Sequence, residues 1–118
     1  MASESELNKV PESVYVGPYR YDVTTDRQAA YDYGHLGVCL YRSRRISLDP
    51  LQSSTELPQT LLHEILHALG NAYGIDEWSK HKQDSDGKIT DKIDLMASAI
   101  LVFLRSNLPV VRYLQETE

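Results

Sequence analysis

Hydrophobic and polar positions along this chain follow two periods, and the change falls near residue 50. From Val14 the pattern alternates: Val14 and Val16, then Tyr19, Tyr21 and Val23, with Gly17-Pro18 between them. A period of two in Tyr and β-branched residues predicts strand, and Gly-Pro predicts a turn. Residues 24–33 fit either a short helix or a long turn. Leu36 to Arg42 reads as a second stretch of strand, Ser43-Arg44 as a turn and Arg45 to Leu48 as a third strand. Asp49-Pro50 ends it, because the residue before proline resists helix and proline has no N–H for a ladder.

After residue 50 the period becomes helical. Leu57, Leu61, Leu62, Ile65, Leu66, Leu69 and Ala72 recur at three- and four-residue spacing. Ser54 or Thr55 can cap this helix, Pro58 is tolerated in its first turn, and Gly70 or Gly74 can end it. Asp76 to Thr90 is charged and holds the turn signal Asp86-Gly87. A second helix is predicted from about Asp91 to Arg105, with Ile93, Met96, Ala97, Ile100, Phe103 and Leu104 on one side. Asn107 and Pro109 break it, and Val110 to Leu114 forms a short closing helix. Strands followed by helices predict an α+β fold, a small antiparallel sheet with helices on one face. Residues 1–12 lack periodicity and are expected to form a flexible N-terminal tail, leaving 13–118 as a single domain.

Composition narrows the function. A chain of 118 residues fits one domain. Lys plus Arg is 12 and Asp plus Glu is 17, a net charge of −5. That balance argues against nucleic acid as the main partner, since phosphate binding needs surplus cations. A single cysteine, Cys39, rules out an internal disulfide framework. No apolar run approaches the roughly 20 residues of a membrane span, and the polar start, Met1 to Lys9, is unlike a signal or transit peptide. The expectation is a cytoplasmic protein, monomeric or weakly oligomeric, with no membrane or nucleic-acid partner.

The chemistry lies in His63-Glu64-Ile65-Leu66-His67, an H-E-x-x-H pattern inside the first strong helix. Residues four apart stand one turn above each other, so both imidazoles can grip one metal ion from the same side. Glu64 sits about 100° round the helix and can flank the metal without binding it. Zn²⁺ suits two His plus a carboxylate, with the last position left for water. The metal lowers the pKa of that water and polarises a carbonyl, and Glu64 serves as general base. A helical wheel places His63, Glu64 and His67 on one arc beside Thr60 and Asn71, opposite most of the Leu and Ile residues.

A third metal ligand is sought in the second helix, where Asp94 is favoured over Asp91. His81 is a further alternative, and Asp76 and Glu77 are weaker ones. Asp84-Ser85-Asp86-Gly87 imitates a calcium loop, but alignment on Gly87 puts Lys82 at the first ligand position, so it reads as a turn. Cys39 reads as a packed strand residue. His35 and Tyr73 read as structural, although either could stabilise an oxyanion from a cleft.

The segment Leu61 to Ala68, preceded by Ile46-Ser47-Leu48-Asp49 and followed by a helix ending Leu104-Arg105-Ser106-Asn107, resembles small phage- and prophage-encoded zinc peptidases. These are similar to the minigluzincins and the ImmA/IrrE-type metallopeptidase domains. The resemblance spans roughly residues 14–115. It implies a reduced zincin fold and zinc-dependent cleavage of a polypeptide, in the host cytoplasm if phage-encoded. His63 and His67 match the family's ligands and Glu64 its general base. The second helix, which normally supplies a Glu ligand, here offers only Asp91 and Asp94. If Asp94 instead matches the Asp or Asn that follows that Glu by four residues, the ligand position falls on Thr90. Tyr73 stands where the longer metzincin motif has a third His. A different expectation is a non-catalytic or latent module on a zincin scaffold that binds a protein partner and can still hold zinc.

Overall fold

The computed structural model describes residues 2–27, 36–75, 81–83 and 89–116, with side chains described for 2–27, 36–75 and 96–116. Where the sequence predicts a flexible tail, the chain forms a short helix, α1 (Glu4–Asn8). Ser3 and Glu6 cap it reciprocally: the Glu6 N–H donates to Ser3 Oγ, and the Ser3 N–H donates to Glu6 Oε1. The Ala2 N–H donates to the Gln52 carbonyl at 2.9 Å, and Ala2 and Val10 are buried in the core. Those two small apolar residues are too few to register as a period, yet they tie the segment down.

Four strands follow: β1 (Ser13–Val16), β2 (Tyr19–Thr25), β3 (Gly37–Leu40) and β4 (Arg45–Leu48). Their order across the sheet is β1-β2-β4-β3. β1 pairs with β2, and β3 with β4, antiparallel, but β2 and β4 run parallel, from Asp22↔Arg45 to Thr25↔Leu48. The expected antiparallel sheet is therefore corrected to a mixed one. Alternation specifies which face each strand buries and says nothing about its neighbours. Here the β3–β4 hairpin docks through its second strand, which leaves β3 at the edge. The buried face carries Val14, Val16, Tyr21, Val23, Ile46 and Leu48. Central β4 also buries Ser47, whose hydroxyl donates to the Asp26 carbonyl at 3.4 Å.

Helix α2 (Glu56–Ala72) covers that face with Leu57, Leu61, Ile65, Ala68 and Leu69. Full burial of each large aliphatic side chain contributes about 1.5–3 kcal/mol. Leu62 points outward and is exposed. The Thr55 hydroxyl makes no cap bond. Ser53 caps instead, accepting the Glu56 N–H while Glu56 Oε1 accepts the Ser53 N–H, both at 3.2 Å. The Ser53 carbonyl takes the Glu56 and Leu57 N–H groups, so the turn starts earlier than a Ser54 or Thr55 cap implies. At the other end Gly74 adopts a φ of 68°, which a side chain would resist, and the Ile75 N–H closes back onto the Gly70 carbonyl at 2.7 Å.

The charged stretch contains a short antiparallel ribbon, β5 (His81–Gln83) with β6 (Ile89–Asp91). The turn signal Asp86-Gly87 between them lies outside the described residues. Helices α3 (Lys92–Ser106) and α4 (Leu108–Gln115) match the predicted second and closing helices. Ala99, Phe103 and Val110 complete the core. Among the described residues no single helix is long and apolar enough to cross a membrane.

Candidate metal centre

His63 and His67 project from adjacent turns of α2, and their Nε2 atoms lie 3.1 Å apart. The rings meet edge to face, with centroids 4.7 Å apart. Two nitrogens bound to one tetrahedral zinc at about 2.0–2.1 Å are separated by about 3.3 Å. The pair therefore fits a shared zinc ion. Both histidines are exposed, while Glu64 between them is buried at 7% exposure. Among the described residues no third His, Cys, Asp or Glu joins them in a metal-holding group.

The histidines open into a cavity of about 580 Å³ between α2 and edge strand β3. One wall is the polar stripe of α2: Glu56, Gln59, Thr60, His63, Glu64 and His67. The other wall is Leu36, Gly37, Val38, Cys39 and Tyr41. β3 approaches the helix closely. A Cβ on Gly37 would lie 2.7 Å from Thr60 Cγ2 and 3.3 Å from Glu64 Cγ. The Thr60 hydroxyl is held by Gln52 Oε1 at 2.6 Å. Gln52 Nε2 in turn donates to the Leu36 and Asp49 carbonyls, fixing the entry of β3 to the start of α2.

The two edges of the sheet differ. At β3 the Asp49 N–H donates to the Leu36 carbonyl at 2.7 Å. In the register Gly37↔Leu48, Val38↔Ser47, bonded pairs alternate with non-bonded ones. Leu36, Val38 and Leu40 thus bond inward to β4, and the peptide groups of Gly37 and Cys39 turn outward along the cavity. At β1 the outward residue is Tyr15, and Asn107 occupies its edge. The Tyr15 N–H donates to Asn107 Oδ1 at 2.6 Å, and Asn107 Nδ2 donates to the Tyr15 carbonyl at 2.8 Å.

Burial, and then the Glu64 carboxylate, pushes the Cys39 thiol up to about 12. The Tyr41 phenol is also raised, by burial first and then by Cys39 and Glu64. Both groups are proton donors at neutral pH, on the strand wall facing the general-base candidate. Among the described residues the Tyr41 hydroxyl has no hydrogen-bond partner.

The structure brings His63, Glu64 and His67 into one cavity. Asp94 lies in the first turn of α3, and Asp91 ends β6 opposite His81 in the ribbon register. The side chains of Asp94, Asp91 and His81 lie outside the described residues, as do His35, Asp76 and Glu77 altogether. Tyr73 caps the end of α2 and packs on the core instead of lining the cavity. Asn71 is likewise absent from the lining. Gly37 and Tyr41 were not legible as site residues. The alternation from Gly37 to Cys39 points both toward α2, but only once the buried face of β3 is known. The chain matches no protein-family model, no characterised protein and no solved structure.

Proposed function

We propose that this chain is a zinc-dependent peptidase with a reduced zincin-like fold, acting on polypeptides in the cytoplasm. The reading is carried by one juxtaposition: the His63–His67 nitrogen pair, 3.1 Å apart, faces across one cavity a strand edge that is open among the described residues. His63 and His67 would hold a zinc ion, which would supply an acidified water and polarise the scissile carbonyl. Asp94 is the proposed third ligand, ahead of Asp91 and His81.

The chain's own residues do the rest. Gly37 and Cys39 offer outward N–H and C=O groups that hold an extended peptide by strand addition. Glu64, buried under β3, takes a proton from the attacking water and returns it to the leaving amine. Tyr41, protonated at neutral pH, donates to the carbonyl oxygen as that atom gains negative charge.

Glu64→Gln tests the reading. It removes the base but keeps the size and leaves both imidazoles in place. Cleavage of a casein-type substrate is expected to fall at least about a hundredfold, while bound zinc, measured by atomic absorption, stays the same. Undiminished cleavage sinks the mechanism. Native protein that binds zinc and peptide but cleaves nothing is the non-catalytic binding module instead. Asp94→Ala is expected to weaken zinc binding by at least about tenfold; unchanged affinity removes Asp94 from the ligand set.

A further inference from the structure

We propose that the arginine-rich end of the sheet, at the Tyr41 mouth of the cavity, binds acidic residues of the polypeptide substrate on the N-terminal side of the scissile bond. This rests on the peptidase reading for the word scissile; the binding surface itself does not.

The charge distribution is uneven. Segments 19–22 and 41–45 together carry Arg20, Arg42, Arg44 and Arg45 against one carboxylate, Asp22, so 4 − 1 = +3 in a chain whose total is −5. The fold brings the segments together, because β2 and β4 run parallel from the same end of the sheet with Asp22 opposite Arg45. The Asp22 N–H donates to the Arg44 carbonyl at 3.0 Å. The Arg44 guanidinium lies over the Tyr19 ring, 4.2 Å from its centroid. Arg20, Arg42 and Arg44 are exposed. The one carboxylate offsets little: Arg20 Nη1 is 3.7 Å from Asp22 Oδ1, with both side chains more than half exposed.

The turn is continuous with the cavity, since Tyr41 lines the cavity and opens the turn that carries Arg42 and Arg44, while Arg20 and Arg45 alternate with buried Tyr21 and Ile46 and add their charge from the other face of the sheet. A peptide pairing with Gly37 and Cys39 in the antiparallel sense, the better-bonded one, runs opposite to β3. Its N-terminal half therefore leaves past Tyr41. At about 3.3 Å per residue, residues two to four positions before the one facing Cys39 lie along the arginine turn. Exposed guanidiniums with fork geometry select carboxylates there.

The test is binding by the full chain in chelator, so that no cleavage intervenes. The probe is a fluorescein-labelled decapeptide with an Ala-Leu-Leu-Ala centre and three Glu at its N-terminal end. The comparison peptides carry three Gln there, or the three Glu at the C-terminal end. Fluorescence anisotropy is expected to give the first peptide an advantage of about tenfold over both others, the combined effect of a few exposed ion pairs. That advantage is expected to shrink as salt rises from about 0.05 to 0.5 M. Arg42→Gln and Arg44→Gln should each remove part of it, and Arg112→Gln, on α4, should not. Equal affinities, a preference for C-terminal Glu, or indifference to both substitutions overturns the proposal. A single-stranded oligonucleotide of equal charge that binds tighter than the peptide overturns it too. Cleavage of the same peptides with zinc present separates the two conclusions. Charge-selective binding without cleavage keeps the surface and removes the peptidase, while cleavage without charge preference does the reverse.

Discussion

Asn107 and Tyr15, 92 positions apart, form a pair in which a side-chain amide does the work of a neighbouring strand. Asn107 Oδ1 accepts the Tyr15 N–H, and Nδ2 donates both to the Tyr15 carbonyl and, at 2.9 Å, to the Phe103 carbonyl. The residue that breaks α3 thereby seals the β1 edge and leaves β3 as the sheet's open edge among the described residues.

Asn107→Ala leaves the Tyr15 peptide groups without their protein partner in a part-buried setting. Because an unsatisfied polar group costs more than a hydrogen bond contributes, the expected loss is about 2–3 kcal/mol. Urea unfolding followed by circular dichroism measures it. A loss below about 0.5 kcal/mol, the size of an ordinary surface change, is incompatible with this role.

Gly37→Ala places a methyl 2.7 Å from Thr60 Cγ2, with Glu64 Cγ and Leu48 Cδ2 each at 3.3 Å. The strand must move off the helix, at a cost of about 1–3 kcal/mol. Thr60→Ser in the same chain deletes the clashing methyl and keeps the hydroxyl that bonds Gln52. Thermal melts should therefore place the double variant between Gly37→Ala and native. If Gly37→Ala melts with the native protein, the close approach is not as described.

The Cys39 thiol, raised to about 12 by burial and Glu64, is almost wholly protonated at pH 8. Alkylation by iodoacetamide should be far slower than in the unfolded chain and accelerate tenfold per pH unit above it. The linkage sign follows from a folded-state value above the unfolded one of about 8.5. Stability from this group is complete below about pH 8.5 and declines through about pH 12, as the unfolded chain releases a proton that the native one retains. Cys39→Ala should flatten that part of the stability profile. A native thiol that reacts as fast as the unfolded one contradicts the burial.

Tyr41→Phe removes only a hydroxyl. If that group meets the developing oxyanion, kcat should fall by about a hundredfold with KM and zinc content nearly unchanged. Loss confined to KM would make Tyr41 a contact for the bound peptide and nothing more.

The His63–His67 pair was legible because a helix is a local object. Four-residue spacing stacks His63 on His67 wherever the helix sits, and the Leu57–Leu61–Ile65–Leu69 stripe says which side is buried. The existence and order of α2, α3 and α4 were legible for the same reason, although α2 is capped by Ser53 and α4 starts at Leu108, two residues before its apolar run. The parallel pairing of β2 with β4, the open edge of β3, the ordered start of the chain and the Asn107–Tyr15 seal were not. Each depends on segments distant in sequence, and alternation specifies faces and not partners. The sequence by itself determined the helix that carries His63, Glu64 and His67 and their shared polar face. Only the tertiary structure decided that Glu64 is buried beneath Gly37, that Tyr41 and the arginine turn stand at the cavity mouth, and that one strand edge faces the histidines. Close packing between distant elements creates those relations, and no local period encodes them.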